Sequence, residues 1–191
     1  MTARLDAQFA FLSEADKLKS VFRASRLHDA TRFENSAEHS WHVMLFALVL
    51  AEEAGPGVQI DRVLKMLLIH DIVEIDAGDT PLHGGVDVSA QRDAEAAAAD
   101  RLFGLLPTNQ AAEFRALWDE FEAAETADSQ FAKSIDRIQT PLSNLANGGG
   151  SWRDYDVSFD QIKARVGVPI ARGAPGLWSW IQPRLARYFS T

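Results

Sequence analysis

The chain has 191 residues, 47% of them hydrophobic, enough to bury a core without covalent cross-links, and a formal net charge of −8. It has no cysteine, which excludes a disulfide framework and a cysteine-based zinc finger, so any metal must be held by His and carboxylates. The acidic balance argues against a long nucleic acid as partner, because that affinity comes from Lys and Arg neutralising phosphates.

The first ten residues mix Arg4 and Asp6 with apolar side chains and show no secretion pattern, and the longest apolar run, residues 43–51, is about half of what a bilayer requires. A soluble, cytoplasmic protein with no membrane partner is expected. A first helix is predicted over 5–22, with Phe11, Ala15, Leu18 and Phe22 on one face. Lys17, Lys19, Arg23, Arg26 and Arg32 then stand against a single acid, Asp29, a locally cationic stretch suited to one small anion. Its plain alternative is a solvated helix face.

Asn35 followed by Glu38 has the spacing of a capping box, so a second helix is predicted from Ser36 over 36–53, ended by Gly55-Pro56-Gly57. A third, over 60–75, is nearly all apolar from Val63 to Ile69 and reads as enclosed. The 76–88 stretch contains Gly78, Pro81, Gly84 and Gly85 and is predicted as a loop beside a site. Helices are predicted over 89–106, 109–125 and 129–146, the last carrying Pro141 and ended by Gly148-Gly149-Gly150. Terminal helices are predicted over 158–166 and 177–189, with Trp178, Ile181, Leu185 and Phe189 as a packing stripe. No alternating run is long enough to suggest a sheet. The fold class expected is therefore all-α: a single domain over 1–191, a bundle of about six to eight helices with its core in 11–146 and packing helices in 155–191.

His70 and Asp71 end an apolar helix, where an unpartnered charge would cost several kcal/mol. Glu74, Asp76 and Asp79 follow closely, and acids crowded at a helix C-terminus repel one another unless a cation sits among them. His39 and His42 lie one turn apart at the start of the second helix, and Asp136 lies beside the stripe Phe131, Ile135, Ile138 and Leu142. Taken singly, each has a plainer reading: an acidic helix end facing water, a core histidine, or a salt bridge from Asp136 to Lys133 or Arg137. Two histidines with carboxylates would suit Mn²⁺, Co²⁺, Fe²⁺, Zn²⁺ or, less well, Mg²⁺.

The order Glu34-Asn35-Ser36-Ala37-Glu38-His39, then His70-Asp71, then Phe131-Ala132-Lys133-Ser134-Ile135-Asp136 resembles the HD-domain phosphohydrolase superfamily, in particular the group of the bacterial 5′-deoxynucleotidases and HD domain-containing protein 2. Leu18-Lys19-Ser20-Val21-Phe22-Arg23 and Leu117-Trp118-Asp119-Glu120-Phe121-Glu122 belong to the same likeness, which runs over about 11–146. The resemblance implies that His39, His70, Asp71 and Asp136 hold a divalent ion, Mn²⁺ or Co²⁺ foremost, with Glu74 and Asp79 as catalytic acids near the reacting water and Arg23 on the substrate phosphate. In some members the acids matching Glu74 and Asp79, with the backbone at the position of Thr80, hold a second ion. The bacterial nucleotidases carry a tryptophan just after the arginine where this chain has Ala24, so base or sugar recognition is expected to differ. The resemblance further implies a homodimer acting on a small nucleotide, releasing phosphate from (deoxy)nucleoside 5′-monophosphates. The alternatives are an HD-type hydrolase of another nucleotide or phosphodiester, and a non-catalytic helical metal-binding module.

Overall fold

The computed structural model describes residues 2–85 and 87–190; Met1 and Thr191, at the ends of the expected domain, and Val86, within the expected 76–88 loop, lie outside the described residues. Helix α1 (Thr2–Ala15) tightens into a 3₁₀ turn (Asp16–Ser20) and does not continue to 22. Phe11 and Leu18 enter the core, but Val21 turns the backbone into an extended conformation and Phe22 is 62% exposed. Strand β1 (Phe22–Arg26) follows, paired antiparallel with β2 (Phe33–Asn35), with Phe22 opposite Asn35 and Arg26 opposite Phe33.

This hairpin corrects the expectation of a chain without a sheet. Its strands are five and three residues long, too short to show an apolar alternation, and polar contacts hold them. Ser25 Oγ donates to Glu34 Oε2 at 3.2 Å, and the Arg26 guanidinium lies 4.1 Å from the centre of the Phe33 ring. In the turn, the Leu27 N–H donates to the Arg32 carbonyl, Asp29 Oδ1 accepts from the Thr31 N–H, and Ala30 takes a left-handed φ of 60°. A Gly or Asn is the usual sign of that conformation; Ala gives no such signal.

Helix α2 (Ser36–Val49) opens on the expected capping box, with the Asn35 side chain accepting from the Glu38 N–H and the Glu38 carboxylate accepting from the Asn35 N–H. It passes into a 3₁₀ turn (Ala51–Glu53) and ends before Gly55. Helix α3 (Ile60–Ile69) stops six residues short of the predicted end at 75, and after it comes a separate short helix, α4 (Glu74–Ala77). Between them the backbone tightens to three-residue hydrogen bonds, Ile72 N–H to Ile69, Glu74 N–H to Asp71 and Ile75 N–H to Ile72. The His70 ring donates to the Leu67 carbonyl in this region, turning the helix end toward the interior.

Asp87 caps α5 (Val88–Phe103), accepting from the Ser89 and Ala90 N–H groups; α6 (Thr108–Ala123) follows. Helix α7 (Ala127–Ala146) starts at a second capping box between Thr126 and Ser129 and runs through Pro141. It packs against α2, α3 and α6, and buries Phe131, Ile135 and Ile138 together with the polar Asp136 and Gln139.

Beyond the glycines lie α8 (Ser151–Asp154), α9 (Phe159–Ile162), a π turn (Lys163–Gly167), α10 (Val168–Gly173) and α11 (Pro175–Phe189). The short α8 and α10 were not expected from periodicity, which needs more than one turn to register. α10 lies directly on α7: a Cβ on Gly173 would stand 2.1 Å from the Gln130 carbonyl oxygen. Ile181 and Leu185 of α11 are fully buried, with Trp178 and Phe189 partly covered at the rim. The fold is helical apart from the two short strands, and among the described residues no helix is long and apolar enough to cross a membrane.

Candidate metal centre

The packing of α2, α3 and α7 on one another draws side chains from distant parts of the sequence to one buried point. His39, His70 and Asp136, all buried, each offer one donor atom to a group whose atoms lie within 4.8 Å of one another. His39 Nε2 is 3.0 Å and His70 Nε2 3.8 Å from Asp136 Oδ1. Asp71 joins them, with Oδ1 3.0 Å from His70 Nε2 and Oδ2 4.0 Å from His39 Nε2.

The outer nitrogens set the direction of the lone pairs. His70 Nδ1 donates to the Leu67 carbonyl at 2.8 Å and His39 Nδ1 faces Gln139 Oε1 at 3.3 Å, so each ring turns Nε2 inward in the form that binds a metal. His70 Nε2 is buried and makes no hydrogen bond. An orphaned imidazole nitrogen aimed at carboxylate oxygens fits a divalent ion, and the mixed nitrogen and oxygen donors fit a first-row transition metal.

The electrostatics point the same way. Burial presses the Asp136 carboxyl upward, but Arg137 and the two imidazoles outweigh it and hold it well below the usual range. Burial and Arg23 press His39 downward; Asp136 and Glu34 prevail and raise its pKa to about 9. The centre therefore retains positive charge, as a proton or as a metal ion in its place.

Arg23 reaches this point from β1, which is the structural role of the hairpin. Its guanidinium donates to Asp71 Oδ2 at 3.0 Å and lies 3.6 Å from Asp79 Oδ1 and 3.8 Å from Glu74 Oε1. Burial lowers the guanidinium pKa, yet Asp71, Asp79 and Glu74 more than reverse this, so it stays charged. Burial, then the charge of Asp71, pushes the Glu74 carboxyl well up, with Arg23 opposing. Asp79 is raised by burial and, against Arg23, by Asp71; its Oδ2 accepts from the Ala24 N–H at 3.3 Å. Ser36 Oγ donates to Glu74 Oε2.

Asp76, counted from sequence among the crowded acids, does not enter: its carboxylate is engaged by Arg101 on the outer side. His42 also stays outside, stacked on Trp41. Of the cationic segment only Arg23 reaches the centre; Lys17 pairs with Glu14, Lys19 with Asp16 and Arg32 with Glu38. Two residues were not singled out from sequence. Gln139 orients His39 and donates to Glu34 Oε1 at 2.9 Å, and the buried Glu34 lies 3.7 Å from His39 Nδ1. The signal for Gln139 was its position three residues after Asp136, on the same helix face.

A cavity of about 600 Å³ opens over the centre, with Asp71, Glu74, Asp79, Arg137, Trp152 and Tyr155 in its lining. That volume suits a small ligand.

The model of the HD domain family matches residues 15–178. A crystal structure from Magnetospirillum magnetotacticum, described as a "Predicted metal-dependent phosphohydrolase", is 46% identical with a TM-score of 0.91, over 97% of this chain and 95% of that one. The 5′-deoxynucleotidase HDDC2 of Bos taurus is 27% identical over 165 residues, 83% of this chain and 78% of that protein. The 5′-deoxynucleotidase hdd1 of Schizosaccharomyces pombe is 28% identical over 134 residues, 68% of this chain and 66% of that protein.

Proposed function

The chain belongs to the HD-domain family of metal-dependent phosphohydrolases, and we propose that within it the chain is a 5′-deoxynucleotidase, converting (deoxy)nucleoside 5′-monophosphates to nucleoside and phosphate. The observation that carries this reading is the meeting of His39, His70 and Asp136, with Asp71 3.0 Å from His70, beside a buried, charged Arg23 in the lining of a cavity of ligand size. The names of the HDDC2 and hdd1 relatives support the substrate class.

His39, His70, Asp71 and Asp136 would hold the ion, with Mn²⁺ or Co²⁺ the proposed occupants over Mg²⁺, Fe²⁺ or Zn²⁺. When bound, such an ion supplies Lewis acidity toward a phosphate oxygen and lowers the pKa of a water. Arg23 offers a planar, paired contact to the phosphoryl oxygens as charge builds on them. Glu74 and Asp79, carboxyls raised by burial and by Asp71, are suited to take the proton from the attacking water and return one to the departing 5′ oxygen. The bond from water oxygen to phosphorus forms as the bond to the 5′ oxygen breaks, with no covalent protein intermediate.

A homodimer is proposed as the assembly. Trp41, Leu45 and Leu48, exposed at three- and four-residue steps on α2, supply an apolar face for a second copy. The proposed compartment is the cytoplasm, which holds the nucleotide pool that such a substrate implies.

The test is phosphate release from a panel of ribo- and deoxyribonucleoside 5′-monophosphates by metal-stripped protein supplied with each divalent ion in turn. Release that needs the added ion and is abolished by a chelator is expected. Hydrolysis of none of the panel with any ion would remove the reading.

A further inference from the structure

The cavity lining holds cationic side chains beyond those assigned to the metal centre and the scissile phosphate. Arg23, beside Asp71, Glu74 and Asp79, is assigned to the scissile phosphate, and Lys133 pairs with Glu122 at 2.8 Å while lying over the Phe121 ring. Four cationic lining residues remain, His83, Arg92, Arg137 and Arg165, and of these His83, Arg137 and Arg165 act on one another electrostatically. Arg165, exposed on the π turn, donates to the Leu82 carbonyl, which holds its charge beside His83; among the described residues no carboxylate lies within 4.0 Å of it. His83 Nδ1 is buried without a hydrogen-bond partner. Arg137 lies one residue beyond Asp136 and only its Nε approaches a carboxylate, at 3.8 Å.

These groups feel one another. Burial, then the charges of Arg165 and Arg137, lower the His83 pKa, and no acid opposes them. Among the described residues Asp136 is the one carboxylate within 4.0 Å of Arg137, and His83 and Arg165 have none, so an anion among the three relieves their mutual repulsion. Guanidinium groups present paired donors that match phosphate, and a buried, unsatisfied imidazole nitrogen supplies a further polar contact.

We propose that His83, Arg137 and Arg165 form a second anion subsite in this cavity, and that the preferred substrate is a nucleoside 5′-phosphate bearing another phosphate on its sugar. This rests on the 5′-deoxynucleotidase reading. On a deoxyribose whose 5′ oxygen carries the scissile group, the 3′ oxygen is the remaining hydroxyl position, so the class is the deoxynucleoside 3′,5′-bisphosphates.

The experiment compares deoxyadenosine 5′-monophosphate with deoxyadenosine 3′,5′-bisphosphate, using the full chain loaded with Mn²⁺, and in parallel measures the binding of both to metal-stripped protein by calorimetry. One extra charge-assisted contact to phosphate predicts a kcat/KM about tenfold higher for the bisphosphate, through KM. Arg165→Ala, an exposed substitution, and His83→Gln are each expected to cut the bisphosphate-to-monophosphate ratio about fivefold. A wild-type ratio of one or below overturns the proposal, and so does an equal fall for both substrates in Arg165→Ala, which would assign these cations to the scissile phosphate. If neither compound is hydrolysed, the full nucleotide and ion panel decides the 5′-deoxynucleotidase reading and calorimetry decides the subsite. Tighter binding of the bisphosphate that Arg165→Ala abolishes supports it; equal binding of the two compounds overturns it.

Discussion

The junction of α2, α3 and α7 and the cap formed by α9 to α11 are both buried, for opposite reasons. The cap covers Ile162, Ile170, Ile181 and Leu185, side chains whose removal from water stabilises the fold directly. The junction buries His39, His70, Asp71 and Asp136, whose desolvation costs free energy that only pairing or a bound cation offsets. A region that opposes folding and still keeps tight geometry is where function is to be sought, and substitutions should separate the two regions by what they damage.

The largest expected effect belongs to the junction. Glu74→Gln should lower kcat for monophosphate hydrolysis by about 10²–10⁴-fold by removing a proton carrier. Because burial already favours the neutral carboxyl, the melting temperature should hold or rise. Unchanged kcat would mean that Glu74 moves no proton in the rate-limiting step.

Next comes Ile181→Ala in the cap, which should cost about 2–5 kcal/mol in a denaturant titration by leaving a cavity under α11. The folded fraction should keep its kcat/KM. A kinetic defect without a stability defect would break the division drawn between the regions.

Gln139→Ala lies on the junction side and is milder. It leaves His39 without its outer partner, and Mn²⁺ affinity measured by calorimetry should fall about 10–100-fold. Unaltered affinity would show that packing alone orients the ring. The smallest effect is expected from Thr126→Ala, which removes the capping box of α7 at a cost of about 1 kcal/mol, with metal content preserved. Loss of metal there would mean that the register of α7 is set by its first turn.

Local signals were read well from sequence and tertiary ones were not. The Asn35–Glu38 capping box lies within four residues and identified the start of α2, and the glycine-containing loop after α3 was visible for the same reason. The early end of α3 was hidden because the apolar pattern continues through Ile72 and Val73, both buried, while the break shows in the backbone bonds after Ile69. The hairpin was hidden because its turn uses Ala30 and its strands are too short for periodicity. At the centre, residue types alone left His39 and Asp136 with plainer explanations, and the resemblance of motif order was what set them beside His70. Gln139 reaches His39 and Glu34 across separations of 100 and 105 residues, so its place three residues after Asp136 puts it on the right helix face without naming those partners.

The central claim is that four side chains from α2, the α3 end and α7 surround a single divalent site. Anomalous diffraction from crystals of the full chain grown with Mn²⁺ tests it most directly. The account predicts an anomalous peak within bonding distance of His39 Nε2, His70 Nε2, Asp71 and Asp136, absent in Asp136→Ala crystals grown alongside. A fully occupied Mn²⁺ elsewhere, with this centre holding none, would contradict it.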